Sequence, residues 1–205
     1  MRRISIIFLF TANIVCAQSW CASQAVWHHS YHEGNSGIVG HVLTTYTGDT
    51  VIGGVVSQRL DGVLNAYSEQ SQNYFTESIG PVFTTGTGDL VEKWNGFGFD
   101  TLYWFGASLG DRWIFDSGAG GLTVMDTGML VISGVPLRYL IVQFDEFSTG
   151  PAQDTIVERL GFLNHYWDGQ GVFLVDAGLG GLRCYSDVDI SSVRLRIEQN
   201  QLFQR

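Results

Sequence analysis

The sequence predicts an all-β protein, and three observations carry that reading. Short runs rich in Val, Ile, Thr, Tyr, Phe and Trp alternate apolar with polar residues at a period of two. Gly-Asp, Asp-Gly and Gly-Gly pairs separate the runs and supply the positive φ that tight hairpins require. No segment carries a 3.6-residue apolar stripe over three turns. Strands and turns recur roughly every 8–12 residues, the spacing of barrels and sandwiches rather than of βαβ units. The expected architecture is a curved antiparallel sheet, lipocalin-like or a half-open barrel. A two-sheet β-sandwich is the alternative.

In order, the pattern predicts strands at Ala25–His32, Ile38–Tyr46, Val55–Leu60, Val63–Tyr67, Asn73–Glu77, Val82–Thr85 and Leu90–Trp94. Then come Thr101–Phe105, Arg112–Phe115, Leu122–Met125, Met129–Ile132 and Leu137–Phe144. Thr155–Leu160, Val172–Val175, Gly181–Tyr185 and Ile190–Ile197 complete the series. Predicted turns lie at Gly48-Asp49, Gly53-Gly54, Asp61-Gly62, Gly88-Asp89, Gly110-Asp111, Gly120-Gly121 and Ser133-Gly134. Leu64–Gln70 is the one candidate for a short helix. The phrase Thr44-Thr45-Tyr46-Thr47-Gly48-Asp49 resembles Thr84-Thr85-Gly86-Thr87-Gly88-Asp89, but no constant period follows, so these are turns and not solenoid repeats.

Composition sets the class. The chain has 205 residues, 45% hydrophobic and 15% charged, enough for one domain with a real core. Its 26 glycines have no period of three and it holds only 3 prolines, which excludes collagen. A formal charge of -9 argues against nucleic acid and against anionic lipid as partners.

Residues 1–17 read as a secretory signal peptide. Arg2 and Arg3 form the positive n-region, Ile4 to Val15 the apolar run, and Val15 and Ala17 the small residues of the cleavage site. The run is shorter than the roughly 20 residues a membrane helix needs. Cleavage leaves a single β-rich domain, 18–205, beginning at Gln18, secreted or at the cell surface and with no transmembrane span. It also removes Cys16 and leaves Cys21 and Cys184, an even pair in an oxidising compartment. A bridge between them is one outcome. The competing picture has Cys184 buried as a small hydrophobe and Cys21 in solvent.

Several phrases resemble, in this order, a family of uncharacterised secreted proteins of Bacteroidetes bacteria. They are Trp27-His28-His29-Ser30-Tyr31, Gly48-Asp49-Thr50-Val51-Ile52-Gly53-Gly54, Phe99-Asp100-Thr101-Leu102-Tyr103-Trp104-Phe105 and Gly110-Asp111-Arg112-Trp113, followed by Glu158-Arg159-Leu160-Gly161 and Gly180-Gly181-Leu182-Arg183-Cys184-Tyr185-Ser186-Asp187. The resemblance spans roughly Ala25 to Ile190. It implies an extracellular or outer-surface β domain and no particular activity. Members of that family usually carry a C-terminal type IX secretion sorting domain, and no such domain is read in this sequence. After Ile190, Val193, Leu195 and Ile197 alternate with Arg194, Arg196 and Glu198, as in an amphipathic edge strand, or as a divergent or truncated end would.

Five constellations are candidates for chemistry. Gly106-Ala107-Ser108-Leu109-Gly110 fits the nucleophile-elbow pattern, which needs a strand before the Ser and a helix after it. Here another predicted strand follows, so a hairpin loop is the plainer reading; His165 would be the base and Asp116 or Asp145 its orienter. His28, His29, His32 and Glu33, with His41 nearby, are weak zinc or copper candidates, because a strand puts His28 and His32 on one face and His29 and Glu33 on the other. Asp187 and Asp189, with Asp168 and Asp176, are weak Ca²⁺ candidates on Gly-rich loops, without EF-hand spacing. Glu158 with Asp145 or Glu146 would be the carboxylate pair of a glycosidase. Of the 6 tryptophans, Trp104 and Trp113 read as core, whereas Trp94 and Trp167 lie beside turns and are the ligand-surface candidates.

The sequence thus favours a secreted or cell-surface non-enzymatic β module, binding a surface glycan, lipid or protein, or serving structurally. A secreted hydrolase and a glycan-binding or adhesion domain are the alternatives.

Overall fold

The structure, a computed structural model, describes residues 20–33, 36–114, 120–145, 153–166, 177–191 and 193–194. The proposed signal segment, Trp167, Asp116, Glu146, Asp168, Asp176 and the predicted strand Val172–Val175 lie outside them, as do residues 195–197 of the last predicted strand.

Thirteen strands form among the described residues, with no helix: β1 (Val26–Glu33), β2 (Ile38–Ile52), β3 (Val55–Ser68), β4 (Asn73–Thr87), β5 (Leu90–Trp94), β6 (Phe99–Trp104), β7 (Arg112–Ile114), β8 (Gly121–Ile132), β9 (Val135–Phe144), β10 (Gln153–Val157), β11 (Gly161–Phe162), β12 (Ala177–Ser186) and β13 (Val193–Arg194). They make an eight-stranded sheet ordered β13-β12-β1-β2-β3-β4-β5-β6 and a five-stranded sheet ordered β11-β10-β9-β8-β7. Both are antiparallel and strongly curled, so each is a half-barrel, as the sequence predicts.

Three pairs of predicted strands are in fact three long ones, β3, β4 and β8, and the predicted strand Ile38–Tyr46 runs on to Ile52 as β2, because the predicted turns Gly48-Asp49 and Asp61-Gly62 lie at bulges. Register slips between Tyr46 and Gly48 in β2, where Gly48 has φ +131°. In β4, Ile79 and Gly80 stand opposite the single Gly62 of β3, and Gly80 has φ +69°. A bulge inserts an extra residue, bends its strand and raises the local twist, which is how a meander of such length curls. Thr47, the extra residue in β2, donates its hydroxyl to Asp61 at 2.9 Å, so the Asp of the predicted Asp61-Gly62 turn instead braces the neighbouring bulge. The third bulge, between Val124 and Asp126, fuses the two strands predicted at Leu122–Met125 and Met129–Ile132 into β8. The helix candidate Leu64–Gln70 is also corrected: Leu64 to Ser68 continue β3, with Leu64 and Ala66 facing the core at period two. Gly53-Gly54 and Ser133-Gly134 are genuine hairpin turns, both residues of each pair having positive φ.

The inward faces meet in one aromatic core. Trp20 stacks on Trp27 of β1 at 5.8 Å and meets the edge of Tyr103 of β6 at 5.0 Å. Tyr103 in turn meets Phe162 of β11 at 5.6 Å, which stacks on Phe144 of β9 at 5.7 Å. This chain crosses from the large sheet to the small one. Each such ring removes about 150–250 Å² from water, so the rings dominate the cohesion between the half-barrels. Trp113 is buried and Trp104 packs against the core, in accord with the sequence reading.

Candidate functional site

Several polar groups of the interior, His29, Thr44 and Asp154 among them, lie at the seam where the two sheets join. Segment 163–166 follows β11 and runs beside β12: Leu182 N–H donates to Leu163 O at 2.9 Å, and His165 forms an isolated antiparallel bridge with Gly180. The backbone there is so close that a Cβ on Gly181 would lie 2.5 Å from Leu163 O, so only glycine fits.

Two histidines face this seam from opposite sides. On the small sheet, Asp154 of β10 has a fully buried carboxylate. It accepts from His165 Nδ1 at 2.7 Å, from Asn164 Nδ2 at 2.8 Å and from the Asn164 N–H at 3.1 Å. The His165 ring is flanked by Phe144 and Phe162, at 5.2 and 6.3 Å. With Nδ1–H donated to Asp154, a neutral His165 keeps Nε2 as a lone-pair acceptor. On the large sheet, His29 of β1 is completely buried. Its ring meets the edge of Tyr166 at 4.7 Å, while Tyr166 shares a 3.0 Å hydrogen bond with Thr44 of β2. Neither His29 nitrogen has a hydrogen-bond partner among the described residues, and burial pulls its pKa down to about 3, with His28 adding a smaller effect of the same sign.

The sequence candidates are placed as follows. His28 points outward and stacks on His41 at 6.0 Å, while His29 points inward. Among the described residues no three metal-binding side chains converge, so His28, His29, His32 and Glu33 do not come together on one ion. Ser108 sits in a strand–loop–strand connection between β6 and β7, with no helix after it. Asp111 closes that loop, accepting from the Ser108 N–H at 2.8 Å and donating its own N–H to Ser108 O at 2.9 Å. The partner of His165 is Asp154, not Asp145, which binds Arg112 and accepts from Thr123 Oγ1. Glu158, one acid of the suggested glycosidase pair, is gripped by Arg138 through Nη2 at 2.8 Å, Nε at 3.3 Å and the backbone N–H at 3.1 Å; of its two suggested partners, Asp145 binds Arg112 and Glu146 lies outside the described residues.

Asp187 and Asp189, two of the four acids suggested for calcium, are both turned onto Arg159, whose Nη1 donates to them at 3.0 and 2.8 Å; Asp168 and Asp176 lie outside the described residues. Asp187 also accepts from the Tyr185 hydroxyl at 2.5 Å and from the N–H groups of Asp189 and Ile190 at 2.7 Å, closing the turn after β12. Among the described residues, the buried carboxylates of Asp154, Glu158 and Asp187 are each engaged by a cationic side chain, a histidine or backbone N–H groups.

Cys21 and Cys184 are separate thiols. The picture of Cys184 buried with Cys21 in solvent is reversed, since Cys21 is buried and Cys184 half-buried. Alternation along β12 explains the separation. Tyr185, paired with Trp27, points into the core where Cys21 lies; Cys184, paired with His28, is one residue out of phase. Burial, with the charges of Asp49 and Asp187 behind it, pushes the Cys21 thiol well above its ordinary pKa.

Trp94 is half-buried, not an open platform. Its ring meets the edge of Phe99 at 5.2 Å, and the β2–β3 turn lies beside it, since a Cβ built on Gly53 would be in van der Waals contact with Trp94 Cζ3 at 3.6 Å. The exposed ring at this corner is Phe97, at 96% exposure in the β5–β6 turn. Asn95 holds that turn: its Oδ1 accepts from the N–H groups of Phe97 and Gly98 at 2.8 and 2.9 Å, and its Nδ2 donates to Asp100 at 2.7 Å. Sequence reading missed Asp154, Tyr166 and Phe97. The Trp94-Asn95-Gly96-Phe97-Gly98-Phe99 spacing was a usable signal for the last, since Asn followed by two glycines marks an exposed turn among aromatics.

Compared with protein-family models, with curated proteins and with solved structures, the chain matches none. No helix among the described residues is long and apolar enough to cross a membrane.

Proposed function

We propose that this chain is an exported, non-enzymatic β module that binds a ligand outside the cytoplasm through the corner made by Trp94, Phe97 and Phe99. The observation that supports this reading is the Asn95 turn, which holds a 96% exposed phenylalanine in a fixed position beside two further aromatic rings. A rigid aromatic turn loses little conformational entropy on binding, and its flat faces suit a glycan, an acyl chain or an apolar side chain. The engagement of the buried acids by arginines and backbone N–H groups supports a scaffold role for them. Export rests on residues 1–17 and on the resemblance to secreted Bacteroidetes proteins.

The test is binding of the purified protein to a glycan array and to phosphatidylcholine vesicles, repeated with Phe97→Ser. The expected result is a loss of about tenfold or more in affinity for the best-bound probe, with an unchanged melting temperature. Equal binding by both proteins, or binding to neither probe, removes the corner from consideration. A secreted hydrolase is the second reading, favoured by the 2.7 Å Asp154–His165 pair. Hydrolysis of p-nitrophenyl acetate that disappears in His165→Ala would shift the balance to it.

A further inference from the structure

We propose that His29 is an acid trigger built into the seam: protonation there separates β1 from segment 163–166 and loosens the closure between the two half-barrels. The proposal stands apart from the ligand-binding reading. It rests on geometry, because His29 is completely buried and both of its nitrogens lack a partner among the described residues. A neutral imidazole tolerates that placement at the cost of unmade hydrogen bonds, whereas an imidazolium adds a second donor and a full charge with nothing to receive them.

The surroundings offer no rescue among the described residues. β2 sets Val42 opposite His29 and contributes Thr44, whose hydroxyl is engaged with Tyr166. β12 sets Leu182 opposite on the other side. The seam contributes the Tyr166 ring edge, and its acid, Asp154, is held by His165 and Asn164. The charge His29 feels is that of His28, another base on the outward face. The accessible response to a proton is therefore to move the inner face of β1 away from Tyr166 into water.

The sign follows from linkage. Folding lowers the pKa from the ordinary 6.5 to about 3, so the unfolded chain takes up the proton first as pH falls. The contribution to stability is complete above about pH 6.5 and is lost progressively toward pH 3, by about tenfold in the folding equilibrium per pH unit. Most carboxylates titrate near pH 4, so a window of about pH 7 to 5 isolates the histidines.

The experiment is urea unfolding of the purified protein across that window. The parent should lose roughly 25-fold in its folding constant between about pH 7 and pH 5. His29→Leu should lose little, and His28→Gln should keep most of the parent's loss. In parallel, the intrinsic-rate-corrected exchange protection of the Leu182 amide, bonded across the seam, should fall with pH before that of the β2–β3 amides. A flat parent profile, a full parental slope in His29→Leu, or a seam that outlasts the hairpin overturns the proposal. If His29→Leu does not fold, the Cε1–H resonance of His29 in the parent decides. No titration while folded is expected, and a midpoint near 6.5 overturns the trigger.

Discussion

Trp27 donates its indole N–H to the backbone carbonyl of Arg159 at 2.9 Å, across 132 residues of chain. Trp27 is the inward ring of β1 in the large sheet, and Arg159 lies in the turn that leaves β10 in the small one. Arg159 holds φ +67°, a conformation that a non-glycine residue adopts only at a cost. Its guanidinium, clamped by Asp187 and Asp189 from the turn after β12, holds it there. One turn thus joins three separated parts of the sequence, which carry the Trp27-His28-His29-Ser30-Tyr31, Glu158-Arg159-Leu160-Gly161 and Tyr185-Ser186-Asp187 phrases.

Trp27→Phe should therefore destabilise the protein by about 2–3 kcal/mol. The substitution removes buried ring atoms and leaves the Arg159 carbonyl without its donor. Chemical unfolding measures it; a change under about 0.5 kcal/mol would mean that the seam does not depend on this bond.

Glu158→Gln tests whether the acid is a strut or a catalyst. Removing the charge leaves the half-buried Arg138 guanidinium facing a neutral amide, and should lower stability by about 2 kcal/mol. Any glycan binding should persist. Unchanged stability together with loss of a glycosidase activity would reverse the assignment.

The thiols give a third prediction. Denatured without reductant, protein lacking residues 1–17 should show two reactive thiols per chain, because Cys21 and Cys184 are not joined. In the folded protein Cys184 should react first, since Cys21 is both buried and held protonated well above ordinary thiol pH. An absence of reactive thiols after denaturation would show that the two do bridge.

The sequence by itself determined the fold class, most strand positions and the outward or inward sense of residues along them, because a period of two is written in consecutive residues and survives any arrangement of the sheets. It also placed Trp104 and Trp113 in the core. Only the tertiary structure decided which Gly-Asp pairs turn the chain. Asp61-Gly62 and Gly48-Asp49 have the same local chemistry as a hairpin turn, and whether the strand stops or bulges depends on the partner strand continuing beside it. Gly40 reads as an ordinary strand glycine, yet its missing Cβ would lie 2.3 Å from Asn65 O, a closeness set by β3. The pairings of Asp154 with His165, of Trp27 with Arg159 and of Arg159 with Asp187 likewise carry no local signal. They are made at the seam, the Trp27–Arg159 and Arg159–Asp187 pairs across the two sheets and the Asp154–His165 pair between β10 and the segment after β11, so each depends on how the curled strands are brought together.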